Sequence, residues 1–370
     1  MERRTLLTGF AAIGAVALVG CGSDDDKPRP TRTPSKTPTT TATTTQTPTS
    51  IEPKIASTIA TGLNVPWDIV FLESGDALVS QRDVGSIVRI STDGKVTKVG
   101  DVDGASGGAG GEGGLLGLAL APDDESTLYA YVSTRSDDRV VRLTLDGDSI
   151  KSQKPILTGI AIGSRHHGGR LLFDGDGALF VSTGDAGNGP LAQDKNSLNG
   201  KVLRITRDGK AAPGNPFGNR TWSYGHRNIE GLAYDADGRL WATEFGDKAF
   251  DELNLIERGG NYGWPGVEGK SDDDDLVNPK VTWGTDECSP AGLAITRSTA
   301  FLGALQGECM FAVPLDGKKA GKPKAYFSGD HGRIRSVTAA PDGSLWVTTS
   351  NTDGRGELRA KDDRILRVTL

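Results

Sequence analysis

From Pro53 onward the chain alternates short apolar runs with polar turns in one recurring unit. An apolar run leads into a turn that often carries Asp-Gly, and a second run, usually aromatic or β-branched, follows. The copies lie at Trp67 to Ser80, Leu116 to Tyr131, Gly169 to Ser182, Glu230 to Thr243, Ala291 to Ala304 and Arg335 to Thr348. The third reads G-R-L-L-F-D-G-D-G-A-L-F-V-S and the fourth E-G-L-A-Y-D-A-D-G-R-L-W-A-T. Asp and Gly suit such turns because they accept left-handed backbone at little steric cost. A third apolar segment follows each hairpin, as in S-I-V-R-I from Ser86, K-V-L-R-I from Lys201 and R-I-L-R-V from Arg364. Three strands with room for a fourth, repeating every ~40–60 residues, mark the blade of a β-propeller. The pattern predicts an all-β, six-bladed propeller of four-stranded antiparallel blades over residues 53–370. The last copy ends on its third strand, so Lys54 to Thr61 is expected to supply the fourth and close the ring, which removes two open edges.

The first fifty residues follow a different pattern. Arg3 and Arg4 precede an apolar run, Leu6 to Gly20, too short to span a bilayer comfortably. It ends in Leu18-Val19-Gly20-Cys21, which resembles the lipobox of bacterial lipoproteins, with Cys21 the lipidated residue. Residues 1–21 are thus expected to be a lipoprotein signal peptide, with Sec and twin-arginine export both open. Residues 22–52, rich in Thr, Pro, Ser and Asp, lack the apolar surface to offset the entropy of ordering and read as a disordered tether. The expected location is the outer face of the cytoplasmic membrane, reached through the lipid alone. A net charge of -6 and a pI near 5.4 argue against nucleic acid as a partner. Cys288 and Cys309 remain, either as a disulfide or as two buried thiols.

A propeller fold decides no function, so the chemistry must come from side chains at one mouth of the channel. All four histidines fall in loops of that mouth, with His166 and His167 before blade 3, His226 before blade 4 and His331 before blade 6. Glu112 lies in a glycine run before blade 2. Asp185, Gly246-Asp247 and Asn351 follow second strands. A neutral histidine within reach of a hydroxyl is a general base near neutral pH. Arg227, Arg333 and Arg335 offer donors to carboxylates or a developing oxyanion. Arg333 and Arg335 flank Ile334, so in a strand they share a face, as a two-pronged anion clamp requires. The stretch from Gly246 to Pro265 offers carbonyls of a tight turn, with carboxylates at Asp247, Asp251 and Glu252, which suit a hard cation such as Ca²⁺.

Taken together, G-E-G-G-L-L-G-L-A, H-H-G-G-R-L, G-H-R-N-I-E-G-L, D-E-L-N-L-I-E-R-G-G-N-Y-G-W-P and G-R-I-R-S-V resemble the soluble quinoprotein sugar dehydrogenases. The resemblance spans essentially all of 53–370. It implies a six-bladed propeller that uses pyrroloquinoline quinone (PQQ) and Ca²⁺ to oxidise an aldose-type sugar and pass electrons to an acceptor in the cell envelope. It places the base on His166 and the contacts to the quinone carbonyls on Arg227 and Asn228. Arg333 and Arg335 fall on the arginines for cofactor carboxylates, and the calcium-ligating carbonyls on Gly246 and Asp247. Three positions depart from the family. Glu112 replaces a glutamine against the cofactor, Gln306 a basic residue, and Asp247 a proline. The first two are expected to make the pocket less positive, and Asp247 to offset this in part by firmer cation binding. A calcium-dependent propeller lactonase and a non-catalytic propeller that binds a glycan or protein partner are the rival readings.

Overall fold

A computed structural model describes residues 51–108 and 110–370. Cys21 and nearly all of the expected tether lie outside the described residues. Its strands form six antiparallel sheets. Blade 1 runs Pro66–Phe71, Ala77–Gln81, Ser86–Ile90 and Val96–Asp101, and blades 2 to 4 repeat this meander in chain order. In blade 5 the short strands Lys319–Ala320 and Lys324–Tyr326 both pair with the third strand, Cys309–Asp316. Blade 6 takes three strands from the C-terminal end, Ile334–Ala339, Leu345–Thr349 and Arg364–Thr369, and its outer strand is Lys54–Thr61. That closure pairs Lys54 with Thr369 and Thr61 with Arg364, as the repeat predicts. The innermost strands touch in a cycle that runs through all six blades and back to blade 1. Ile51 and Glu52, assigned to the tether on composition, are instead attached to blade 5. The Tyr326 hydroxyl donates to the Ile51 carbonyl at 3.1 Å, and Lys324 pairs with Glu52.

The local reasons for the hairpins recur from blade to blade. In blade 3 the Asp174 carboxylate accepts the N–H groups of Asp176 and Ala178 at 2.9 and 2.8 Å. In blade 4 Asp235 accepts those of Asp237 and Arg239, both at 3.0 Å. Each turn closes on a glycine with positive φ, Gly177 at 78° and Gly238 at 76°, where a side chain would be strained. Alternate positions of each strand point between blades, so the apolar residues gather in several inter-blade cores. A hydroxyl near the end of the second strand ties one blade to the next. Ser80, Ser182 and Thr243 donate to the carbonyls of Leu116, Ile229 and Ala291. In all six blades the pairing of first and second strands is broken by a register shift near the start of the inner strand. Such bulges turn the backbone and re-aim side chains at the rim. The chemistry-bearing residues cluster there.

Candidate active site

A cavity of about 590 Å³ opens at that rim. Six arginines (82, 165, 227, 333, 335 and 355) and five carboxylates line it, together with His166, Asn228 and Gln306. The residues that the resemblance assigns within the described region, His166, Glu112, Arg227, Asn228, Gln306, Arg333, Arg335, Gly246 and Asp247, all border this one space.

His166 sits at φ 62°, a conformation uncommon for a side-chain-bearing residue. Two carboxylates hold it there. Glu112 accepts its backbone N–H at 2.7 Å, and Asp185 lies 2.6 Å from its Nδ1. Gly184 lies so close that a Cβ would fall 1.9 Å from the His166 carbonyl oxygen, so only glycine fits beneath the loop. Burial pushes the Asp185 carboxyl up, but hydrogen bonds from His166, Gly187 and Trp264 outweigh it and hold the group below its usual range. An ionised Asp185 fixes the tautomer with the proton on Nδ1 and leaves the Nε2 lone pair to the cavity.

The expectation that four histidines form one ring is corrected by the structure. His167 turns away and bonds Asp138 at 2.9 Å and Ser133 at 3.2 Å. His226 stacks on Tyr262 and lies between Ser223 at 2.8 Å and Glu244 at 2.9 Å. That arrangement has the geometry of a nucleophilic triad, but Ser223 and His226 are both fully buried and meet no substrate. His331 does not line the cavity. One histidine faces the chemistry.

The arginines are partly committed to neighbours. Arg333 Nε donates to Asp353 at 3.0 Å, and Arg335 reaches Glu230 at 2.6 Å. Burial pushes the Asp353 carboxyl up, and the two arginines override it and keep the group ionised. Arg227 pairs with Asp247 at 3.0 Å, while its Nε is buried without a partner. Asn228 accepts the Gly168 N–H at 2.8 Å, and Asn351 accepts that of Arg333 at 2.9 Å, so each amide orients a neighbour.

Two expectations about charge change. Glu112 is held ionised against its burial by the His166 N–H and by Arg355, 3.0 Å away. Its negative charge is therefore matched inside the cavity. The Asp247 carboxylate pairs with Arg227, so it is not free to strengthen a cation site. Of the other carboxylates proposed for that site, Asp251 borders the cavity but accepts the N–H groups of Gly246 and Ser289. Glu252 faces away, bonded to Asn254 and Gly269. Among the described residues no three His, Cys, Asp or Glu side chains are grouped to hold a metal. Cys288 and Cys309 are two buried free thiols, both pushed up by burial, Cys309 to about 11.

Sequence reading missed Arg82, Arg355, Asp353, Glu230 and Trp264. Arg82 directly follows the second strand of blade 1, the kind of position that exposed Asp185 and Asp247, so the same rule applied to blade 1 finds it. Its guanidinium is 2% exposed and keeps one Nη2 without a partner.

The mouth of the propeller thus holds one carboxylate-oriented histidine amid partly unpaired guanidinium groups, the groups that proton transfer beside an anion requires. Residues 63–366 match the glucose/sorbosone dehydrogenase family. The PQQ-bound aldose sugar dehydrogenase of Streptomyces coelicolor superposes with a TM-score of 0.83 at 45% identity, covering 86% of this chain and 97% of that one. Aldose sugar dehydrogenase YliI of Escherichia coli is 34% identical over 51% of this chain and 58% of its own length. Quinoprotein glucose dehydrogenase B of Acinetobacter calcoaceticus is 31% identical over 58% of this chain and 53% of its own. The chain belongs to the glucose/sorbosone dehydrogenase family and is an oxidoreductase.

Proposed function

We propose that this cavity oxidises an aldose-type sugar with PQQ as cofactor and Ca²⁺ as its metal, and that His166 is the base. The observation that carries the reading is the buried His166–Asp185 pair at 2.6 Å, set beside Arg227 with its unpartnered Nε. The residues present fit the cofactor's chemistry. A tricarboxylate needs fixed cations, and Arg82, Arg227, Arg333 and Arg335 supply them in a space of about 590 Å³. Gln306 adds no charge but borders the same space. Carbonyls of Gly246 and Asp247 are hard oxygen donors of the kind Ca²⁺ prefers. When bound, PQQ would supply a two-electron acceptor, and Ca²⁺ a Lewis acid.

The chain's own part is positioning and proton transfer. Asp185 holds the imidazole with Nε2 toward the cavity, and Nε2 takes the hydroxyl proton as the C–OH carbon gives up its hydride. Asp185 then faces the imidazolium and stabilises it. Arg227 and Asn228 direct donors at oxygens that gain charge, and Arg333 and Arg335 hold carboxylates. A lactonase built on a carboxylate-caged ion lacks its cage among the described residues. The electron acceptor would be a component of the cell envelope, in keeping with a lipid on Cys21 and a tether over residues 22–50. Incorporation of labelled fatty acid, lost in Cys21→Ala, tests that placement.

The deciding experiment is titration of PQQ with Ca²⁺ into the purified chain, with dye reduction followed across a panel of aldoses beside His166→Ala. Saturable, sugar-dependent reduction that the variant loses supports the reading. No PQQ binding at high micromolar concentration would refute it.

A further inference from the structure

The turn from Gly246 to Phe250 is organised around a single carboxylate oxygen. Glu268 Oε2 accepts the N–H groups of Asp247, Lys248 and Ala249 at 2.9, 3.1 and 3.0 Å, with that of Phe250 at 3.4 Å. In a trans peptide the N–H and the preceding C=O point in opposite directions. The bonds Gly246–Asp247 and Asp247–Lys248 are trans, the described cis bonds lying elsewhere. With the amides of Asp247 and Lys248 directed at Glu268, the carbonyls of Gly246 and Asp247 point away from it. Gly246 and Asp247 border the main cavity, which Glu268 does not reach; Glu268 lines a small void of about 10 Å³ that Gly246 also borders. Gly246 is required at the start, because a Cβ there would fall 2.0 Å from the Phe250 carbonyl oxygen.

We infer that Glu268 is the positioning residue of the cation site, converging the amides of the Gly246–Phe250 turn on one side so that the Gly246 and Asp247 carbonyls present a hard-cation seat on the other. The inference rests on the proposed reading that these two carbonyls ligate Ca²⁺. Two effects act together. The carboxylate fixes the orientation of both peptide planes, and its charge polarises each amide, which raises electron density on the carbonyl oxygen across the same peptide. A proline in place of Asp247 would have no N–H to offer. Here Asp247 brings a donor, and Glu268 is the group that accepts it.

The test is calcium binding by titration calorimetry on the purified full chain, with and without saturating PQQ, for the wild type, Glu268→Gln and Glu268→Ala. Glu268→Gln keeps an oxygen for the amides and loses the charge, whereas Glu268→Ala loses both. Asp237→Asn, on an exposed hairpin, controls for net charge. Orienting groups behind metal ligands contribute about 10–100-fold to affinity. Calcium affinity is expected to fall about tenfold in Glu268→Gln and further in Glu268→Ala, and to stay at the wild-type value in Asp237→Asn. The kcat of Glu268→Gln at saturating calcium should return to within twofold of wild type, a rescue that a merely collapsed loop would not show. A folded variant lacking the carboxylate that binds calcium within twofold of wild type overturns the inference. If Glu268→Ala does not fold, Glu268→Gln decides. If the wild type itself takes up no calcium, with or without PQQ, the cation reading fails before any variant is compared, and the inference falls with it.

Discussion

Replacing Asp185 by asparagine removes one charge and alters few contacts, so it isolates what the carboxylate does for His166. Oδ1 faces both His166 Nδ1 at 2.6 Å and the Gly187 N–H at 2.7 Å, and Oδ2 accepts from Trp264 Nε1 at 2.8 Å. An amide has one oxygen, so in either orientation its NH₂ meets a hydrogen-bond donor or forces the imidazole proton onto Nε2. The charge contribution can be sized directly. Opposite unit charges about 4 Å apart at an effective dielectric of about 20 attract by about 4 kcal/mol. When the imidazolium forms, the neutral amide of the variant cannot return that energy. At about 1.4 kcal/mol per tenfold, the barrier rises enough to slow the step about a thousandfold. Sugar-dependent dye reduction at saturating PQQ and Ca²⁺ should show kcat/KM down by about that factor, with PQQ affinity within twofold of wild type. A variant within tenfold of wild type would refute the assignment of His166 as the carboxylate-supported base.

Glu112→Gln leaves Arg355 without its partner and makes the cavity one charge more positive, so PQQ should bind severalfold tighter by fluorescence titration, with the gain shrinking as salt is added. Arg335→Met strands the buried Glu230 carboxylate, and thermal unfolding should register a loss of about 3–5 kcal/mol. Burial lowers Lys201 to about 7 from 10.5, so the unfolded chain binds its proton more readily between those values. That group's contribution should therefore make stability rise with pH from about 7 to 10.5, and Lys201→Met should remove the slope from urea unfolding curves. The same substitution removes the ammonium donor from the carbonyls of Leu191, Ala192 and Asn199, of which Ala192 keeps the Gly225 N–H, and should destabilise the chain at every pH.

The blades could be read from the sequence because their signals are local. A strand, an Asp-Gly turn and a second strand lie within some fourteen residues, and the hydrogen bonds of Asp174 and Asp235 that make those turns reach no further than four residues. Even the ring closure followed from counting strands. The site was readable only as a set of loops. Loop position brought His166, Glu112, Arg227, Arg333 and Arg335 to one cavity, but it says nothing of rotation about the backbone, so His167 and His226 were placed with them although they point into the protein. Charge balance was the least accessible. Glu112 is neutralised by Arg355 from blade 6, and Asp247 turns to Arg227 beside the paired strand of its own blade. The first pairing leaves no trace in spacing because the partners meet only once the ring exists, and the second depends on side-chain orientation, which spacing does not give.

The strand that fastens the ring also fixes when the site is complete. A chain emerging from its N-terminal side displays Lys54–Thr61 long before its partner Arg364–Thr369 has been made. Arg333, Arg335 and Asp353 belong to the blade formed by that late meeting. No intermediate of synthesis therefore carries the finished set of arginines at the cavity. Cofactor loading becomes an event in the life of the completed chain, because a nascent chain does not yet hold Arg333 and Arg335 in place.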